Sequence, residues 1–298
     1  MISQIDLKQG IEDGNFKVLA RALTLVENDI EPASALLKSL KIKYDVPVLG
    51  ITGPPGAGKS TLVNAIINQV LLANKRVAIL AVDPTSPFNF GSLLGDRIRM
   101  AQQFNNQNVF IRSIATRGAL GGVSLKTLEM VDVLRSANFD LIIVETVGVG
   151  QSEVEIAGLA DKTCVVLVPE SGDEIQHIKS GLMEIAQAFV VNKADRQGAD
   201  VFANNLVTMV RDQHHVIPVF KTVADKAIGI AELCEWIWQP YQLNERKSFL
   251  MAEKALRIIQ HHKMKGVDVK KLRHTIDEAL LNPDFNVYSF AEDWFKYS

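Results

Sequence analysis

A nine-residue stretch decides the fold of this chain: Gly53-Pro54-Pro55-Gly56-Ala57-Gly58-Lys59-Ser60-Thr61. It fits the phosphate-binding pattern G-x-x-x-x-G-K-[ST] at every fixed position. The run before it, 46–52, is apolar and of strand length, and the apolar residues after it recur at helical spacing. Strand, loop and helix in this order are the context that a phosphate-binding loop requires. The stretch therefore predicts a nucleotide site.

The residue types in this loop explain how it would hold phosphate. Glycines let the backbone curl so that consecutive N–H groups point at phosphate oxygens, and the following helix presents its positive end to the same charge. We expect Lys59 to reach the β- and γ-phosphates and the Ser60 hydroxyl to ligate Mg²⁺. A glycine-rich turn without a ligand is the alternative, and the lysine and the hydroxyl weigh against it.

The composition is that of a globular protein without a strong net charge. Of 298 residues, 47% are hydrophobic, and 32 Lys and Arg face 34 Asp and Glu. This balance creates no global field toward nucleic acid or an anionic membrane, so we expect neither as a partner. No apolar run approaches the ~18 residues of a spanning helix, and we expect a cytosolic protein. Cys164 and Cys234 lie far apart and indicate neither a disulfide framework nor a zinc cluster.

Three regions of the chain differ in pattern. We predict an N-terminal helical layer over 1–43, a nucleotide-binding domain over 44–240, and a C-terminal helical segment over 241–298 that pairs two copies of the chain. The middle region contains short apolar runs of strand length at 46–52, 77–82, 141–144, 164–168, 189–191 and 216–219. Such runs alternating with helices imply an α/β fold with a mostly parallel sheet flanked by helices.

In a sheet of this kind, ligands bind at the carboxyl ends of the strands, and polar loops follow several of them here. The loop from Asp83 to Met100, which includes Asp96, carries carboxylate, hydroxyl and guanidinium groups that suit Mg²⁺ and phosphate. A second polar loop is predicted from Arg112 to Gly122 and includes Arg117. Its glycines suit a switch, and a plain surface loop is the alternative.

The third apolar run ends in Glu145, and Gly148 follows three residues later. In nucleotidases this arrangement holds Mg²⁺ with the acid and offers a backbone N–H to the γ-phosphate. Glu has one methylene more than the commoner Asp, so contact with the metal through a water is an alternative to direct ligation. Gln151 is a candidate for positioning water.

The fifth run is followed by Asn192-Lys193-Ala194-Asp195, the N-K-x-D pattern of guanine recognition. The Asp195 carboxylate can accept from guanine N1–H and the 2-amino group together, while Asn192 braces the loop and the Lys193 stem covers the base. Adenine offers no such donor pair. A backbone N–H of Thr222-Val223-Ala224, after the sixth run, could reach guanine O6. We therefore expect GTP rather than ATP as the ligand.

Because the phosphate loop is followed in order by 82–87, 116–122, 144–153 and 191–195, the chain closely resembles the MeaB/ArgK family of GTPases. The similarity covers about 40–240 strongly and the helical ends more loosely. The resemblance implies a P-loop domain similar to that of the signal-recognition-particle and nickel-chaperone (SIMIBI) GTPases. It also implies a homodimeric, GTP-hydrolysing chaperone that assists an adenosylcobalamin-dependent methylmalonyl-CoA mutase in cofactor loading, protection or rescue.

The resemblance also assigns residues to roles. Lys59, Glu145 and Asp83 would carry the chemistry, and Ser60, Asp83, Asp96 and Glu145 would surround Mg²⁺. Candidate switch residues are Arg117, Gln151, Asp173, Glu174 and Lys179. The last three belong to a candidate third switch, 170–179, where the family pattern Pro-Gly-x-Gly-Asp is replaced by Pro169-Glu170-Ser171-Gly172-Asp173.

Three other functions remain open at this stage. A kinase associated with amino-acid transport would need an acceptor pocket with a catalytic base, which the sequence does not indicate. A metal-delivery GTPase would usually carry clustered Cys and His ligands, and this chain has no C-x-x-C. A non-catalytic nucleotide-gated scaffold would bind GTP without turnover.

Overall fold

The computed structural model describes residues 4–83, 103, 105–115, 125–146, 156–170, 182–211, 217–240, 245–264, 266–282 and 285–297. The chain forms two compact units, 1–250 and 251–298. The division into 1–43, 44–240 and 241–298 stays a prediction. None of the helices in the described ranges combines the length and the apolar character that a membrane-spanning helix needs.

A parallel sheet forms the centre of the first unit. Its strands are β1 Val48–Thr52, β2 Val77–Asp83, β3 Val109–Ala115, β4 Leu141–Thr146, β5 Lys162–Leu167, β6 Ala188–Val191 and β7 Val219–Lys221. The described strands lie in the order β3-β2-β4-β1-β5-β6-β7, and each recorded pair is parallel. The predicted α/β fold with a parallel sheet is confirmed.

The sequence prediction missed β3. A polar loop was expected from Arg112 onward, but 112–115 pair with β2 as part of a seven-residue strand. Phe110 and Ile114 point into the core, and Arg112 lies between them in the period-two pattern of the strand. The Arg112 guanidinium donates to Glu27 Oε2 at 2.7 Å. A charge that breaks an apolar run can thus belong to a strand when a helix supplies its partner.

Helices cover both faces of the sheet. The longer helices are α1 Gln4–Glu12, α2 Phe16–Glu27, α3 Ala33–Ser39, α4 Lys59–Leu72, α5 Leu125–Ser136, α6 Ala199–Arg211, α7 Ile230–Trp238, α8 Glu245–Met264, α9 Val269–Ala279 and α10 Val287–Tyr297. Buried residues of α1, α2, α3, α5 and α6 share one core with the sheet, and those of α4 and α7 share a second. Each fully buried Leu or Ile stabilises such a core by about 1.5–3 kcal/mol.

The strand register brings the predicted site residues to one edge. Ile51 of β1 pairs with Glu145 of β4, and Leu167 of β5 pairs with Val191 of β6. The chain segments that follow β1 and β6 therefore leave the sheet at the same carboxyl edge. Glu145 lies inside β4 rather than after it, since that strand continues to Thr146.

The second unit is helical. It contains α9 and α10, and Asp268 caps α9 by accepting from the backbone N–H groups of Lys270 and Lys271. Within it the rings of Phe285, Phe290 and Trp294 pack in series at centroid distances of 5.8 and 5.9 Å. Several large apolar side chains of this unit are exposed, among them Leu256, Ile259, Leu280 and Leu281.

Candidate nucleotide site

The predicted phosphate loop closes tightly between β1 and α4, and two of its glycines are required by its geometry. Gly53 has φ +135°, and a Cβ there would lie 2.1 Å from the carbonyl oxygen of Val166. Gly58 precedes α4 with φ +85°, and a Cβ there would lie 2.5 Å from Asn192 Nδ2. At Gly53 the backbone thus approaches β5, and at Gly58 it approaches Asn192, more closely than a residue with a Cβ would allow.

Lys59, the first residue of α4, is buried. Its ammonium donates to the carbonyl oxygens of Gly53 at 2.7 Å and Pro54 at 2.9 Å. These carbonyls hold the charge within the curve of the loop, where the helix N-terminus adds its own partial positive charge. The position suits an ammonium that meets phosphate oxygens.

Ser60 and Glu145 form the centre of the predicted metal environment. The buried Ser60 hydroxyl donates to Glu145 Oε1 at 2.7 Å. The neighbouring Thr146 hydroxyl donates to Thr52 Oγ1 at 3.0 Å, which ties the ends of β4 and β1 together. A hydroxyl and a carboxylate in contact are the hard oxygen donors that Mg²⁺ takes in proteins, so the pair fits that ion.

The side chains of the other predicted metal and switch residues are not among those that the structure describes. β2 ends at Asp83, but the placement of its side chain is not described. Predictions for Asp96, Gly148, Arg117, Gln151, Asp173, Glu174 and Lys179 likewise fall outside the described residues. Among the residues that are described, no group of three or more His, Cys, Asp and Glu side chains is placed to hold a metal.

Asn192 joins the phosphate loop to the base loop. Its buried side chain donates from Nδ2 to the carbonyl of Ala57 at 2.9 Å. Its Oδ1 accepts from the Thr222 hydroxyl at 3.1 Å and from the Ala224 N–H at 3.2 Å. One amide therefore ties together three segments; its role in bracing a nucleotide site stays a prediction.

Lys193 follows in a strained conformation. Its φ is +55°, a value uncommon for a residue with a side chain, and such strain is concentrated at functional sites. Its ammonium donates to the carbonyl of Gly56 at 2.7 Å. The side chain thus bridges from the base loop to the phosphate loop, and its cover of a bound base stays a prediction.

The segment after β7 closes the other side of the base loop. The N–H groups of Thr222, Val223 and Ala224 donate to Val191 O, Ile228 O and Asn192 Oδ1, respectively. Their structural role is to hold the segment and Asn192 in place. Contact of one of them with guanine O6 stays a prediction.

Asp195 is exposed and has a partner that the sequence reasoning missed. Lys226 Nζ lies 2.8 Å from Asp195 Oδ2. The hydrogen bond from Lys226 lowers the pKa of the Asp195 carboxyl, and the same bond raises the pKa of Lys226. Because Lys226 stands only two residues after Ala224, its closeness to the predicted base segment was the available signal.

A second missed contact lies beside the first. Arg196 Nη1 lies 2.5 Å from Glu170 Oε1, and the hydrogen bond from Arg196 lowers the pKa of that carboxyl. Glu170 is the residue at which the sequence departs from the family pattern. The base loop therefore contacts the first residue of the candidate third switch.

A separate cavity of about 550 Å³ lies at the opposite end of the sheet, where the strands begin. Its lining includes Lys162, whose buried ammonium donates to the carbonyls of Trp236, Ile237 and Gln239 at 2.6, 3.2 and 2.7 Å. These carbonyls belong to the last turn of α7 and the residue that caps it. Lys162 therefore stabilises a helix end, and the cavity is not part of the candidate nucleotide site.

Among solved structures, that of a LAO/AO transport system kinase matches 96% of this chain and 88% of that chain, with a TM-score of 0.66 and 26% identity. The structure of HypB from Helicobacter pylori in complex with nickel matches 76% of this chain and 96% of that chain, with a TM-score of 0.52 and 17% identity. The second likeness shows the fold alone, which is that of a P-loop NTPase.

Sequence comparison places the chain in a family. A protein of Pyrococcus horikoshii whose name describes it as a GTPase is 40% identical over 96% of both chains. GTPase ArgK of Escherichia coli is 35% identical over 80% of this chain and 70% of its own. The family model described as methylmalonyl Co-A mutase-associated GTPase MeaB matches residues 19–275. The resemblance seen in the motifs is confirmed, and the chain belongs to the MeaB family of GTPases.

Proposed function

We propose that this GTPase hydrolyses GTP to GDP and phosphate with Mg²⁺, as a G-protein chaperone of an adenosylcobalamin-dependent methylmalonyl-CoA mutase or a related acyl-CoA mutase. The observation that carries the nucleotide part is Asn192, which binds the phosphate loop and the base segment at once. Through it, Lys59 and Asp195 belong to one site that matches a guanine nucleotide at both ends.

The chemistry rests on charge stabilisation. Lys59 and the loop amides would neutralise charge that develops on the transferring phosphoryl group while water attacks in line. Ser60 and Glu145 would hold Mg²⁺, which supplies further positive charge beside the β- and γ-phosphates when it is bound. None of these groups takes a proton from water, so we expect slow intrinsic turnover that a partner protein accelerates.

The partner is proposed from the family. The family's description names a methylmalonyl-CoA mutase-associated GTPase, and a mouse relative named for methylmalonic aciduria type A is 37% identical over 63% of this chain and 49% of its own. A cytosolic homodimer completes the proposal. The exposed Leu280 and Leu281 of the C-terminal unit support a dimer contact there, because a second copy would remove them from water.

A kinase is the second candidate, since the solved relative at 26% identity is named one. Incubation with γ-labelled GTP, candidate acceptors and Mg²⁺ distinguishes a kinase from a GTPase. Release of inorganic phosphate supports the GTPase, and label on an acceptor supports the kinase. Binding without either product would indicate a scaffold.

The mutase partnership needs its own experiment. The tagged chain is incubated with purified methylmalonyl-CoA mutase, once with GDP and once with a non-hydrolysable GTP analogue. We expect a complex whose affinity depends on the nucleotide, and phosphate release that rises when the mutase is added. Equal capture with both nucleotides and unchanged turnover would refute the chaperone role while leaving the GTPase assignment intact.

A further inference from the structure

Lys226 pairs with Asp195 at the base end of the site, and this lysine has no role in the function proposed so far. The side chains are 44% and 57% exposed, so neither is held by burial. An exposed aspartate on a loop has rotational freedom about its side-chain bonds. The contact at 2.8 Å between Lys226 Nζ and Asp195 Oδ2 restricts that freedom.

Lys226 is itself well placed to act as a fixed point. It ends a 3₁₀ turn, Ala224–Lys226, whose first residue donates to the buried Asn192. The backbone N–H of Lys226 donates to Val223 O at 3.0 Å, and the next residue, Ala227, adopts φ +56°. The backbone of Lys226 is therefore tied to the same amide that contacts the phosphate loop, and its side chain starts from a fixed point.

The contact leaves the carboxylate able to receive a base. Two carboxylate oxygens together offer about four lone-pair directions, and Lys226 uses one of them on Oδ2. Guanine needs one acceptor for N1–H and one for the 2-amino group, so both can be served while the lysine stays in place. Asp225 and Arg196 are the other charged groups that act on the pair, one acidic and one basic.

On the premise that the chain binds GTP as proposed above, we infer that Lys226 is a positioning residue for guanine. It holds the Asp195 carboxylate in the plane that accepts from both donors of the base. A base with two donors in fixed geometry needs that plane, whereas a base with a single donor can follow the carboxylate as it rotates. Lys226 therefore contributes to discrimination between guanine and hypoxanthine, which lacks the 2-amino group.

The test compares Lys226→Gln with Lys221→Gln. Lys221 makes a matched exposed contact, 2.8 Å from Asp200 Oδ1, outside the proposed base site. Dissociation constants for GTP and ITP are measured on the full chain. Because exposed charge pairs have modest effects, we expect Lys226→Gln to raise the constant for GTP about threefold and that for ITP less than twofold. Lys221→Gln should change neither.

The ratio of the two constants is the decisive quantity, because the phosphate contribution cancels in it. An unchanged ratio would overturn the inference. It is the result expected if the substitution only damaged the fold, because GTP and ITP binding would then weaken equally. Tighter GTP binding by Lys226→Gln would also overturn it, since the lysine would then compete with the base. A wild-type protein without preference for GTP over ATP would instead refute the proposed function.

Added salt provides a second test of the contact between Lys226 and Asp195. Screening weakens exposed charge pairs, so 0.5 M NaCl should lower the preference of the wild type for GTP over ITP. Lys226→Gln has already lost the pair and should show little further change. An equal loss of preference in both proteins would contradict the inference.

Discussion

The two ends of the candidate site are built in opposite ways. At the phosphate end, Lys59, Ser60 and Glu145 are 8%, 8% and 6% exposed, and they contact backbone carbonyls or each other. At the base end, the side chains of Asp195 and Lys226 are exposed to solvent and contact each other. Yet both ends lie at the same edge of the same sheet.

From this difference we expect the buried end to set the strength of nucleotide binding and the exposed end to set the selectivity for the base. Charges at the buried end act with little screening, so a substitution there should affect every nucleotide that carries the same phosphates. Contacts at the exposed end are screened and should matter mainly for the choice of base. Asn192, which is 2% exposed, holds the two ends in register.

Lys59→Ala should have the largest effect and tests the buried end. The substitution removes the ammonium that would meet two phosphates, and we expect GTP and ITP affinity to fall together by about 10³-fold. Calorimetry with both nucleotides measures this. Affinities near those of the wild type would show that the loop does not grip phosphate.

Lys162→Ala is the matched control for that experiment. Lys162 is also buried and donates to backbone carbonyls, but it lies at the opposite end of the sheet. We expect the control to lower the melting temperature, because it removes the hydrogen bonds that Lys162 donates to those carbonyls, while nucleotide affinity stays unchanged. If both variants lost nucleotide equally, the loss would reflect instability rather than a contact with phosphate.

Asp195→Asn should have the next largest effect and tests the exposed end. The amide presents a donor where guanine presents donors, so GTP affinity should fall by about 10²-fold and XTP affinity should rise. Asp200→Asn, which alters an equally exposed carboxylate paired with Lys221, should change neither. Unchanged GTP affinity in Asp195→Asn would remove the base assignment.

The base preference should also be insensitive to pH near neutrality. The pKa of Asp195 lies below its ordinary value of 3.8 and that of Lys226 above 10.5, because each stabilises the charged form of the other. The contribution of the carboxylate is lost only as the pH falls through that lowered pKa. The ratio of GTP to ATP affinity, measured from about pH 5 to pH 8, should therefore stay flat.

The same contrast explains what the sequence could predict. The sequence predicted Gly53, Gly58 and Lys59 because a loop that closes on phosphate needs them at fixed spacing. It predicted Asn192 and Lys193 for a similar reason, whereas Asp96 and Gly148, predicted for the buried end, lie outside the described residues. Local chain geometry dictates these residues, and it is visible as a motif.

Contacts between distant segments were not visible. Lys226 contacts Asp195 at a separation of 31 positions along the chain, and Arg112 contacts Glu27 at a separation of 85. The closeness of Lys226 to the predicted base segment was the available signal, but local spacing alone does not indicate which charged residue an exposed carboxylate contacts. Strand β3 was missed for this reason. The charged Arg112 was interpreted as the start of a loop, because the sequence does not show that Glu27 of α2 is its partner.

Glu145→Gln tests the buried end again. Of the three substitutions in the candidate site, after Lys59→Ala and Asp195→Asn, it should have the smallest effect. Gln can still accept from the Ser60 hydroxyl, so the fold and the base preference should be kept while the negative charge is lost. Removing a group beside a metal typically weakens its affinity, and we expect the Mg²⁺ concentration for half-maximal GTP hydrolysis to rise about tenfold.

Glu129→Gln is the control for this effect, because Glu129 is also buried but pairs with Lys126 on α5, away from the loop. Its Mg²⁺ requirement should equal that of the wild type. A GTP-to-ITP ratio that changed in Glu145→Gln would mean that the metal environment also sets the choice of base. The two ends would then not be separable, because a charge lost at one would have altered the geometry of the other through Asn192.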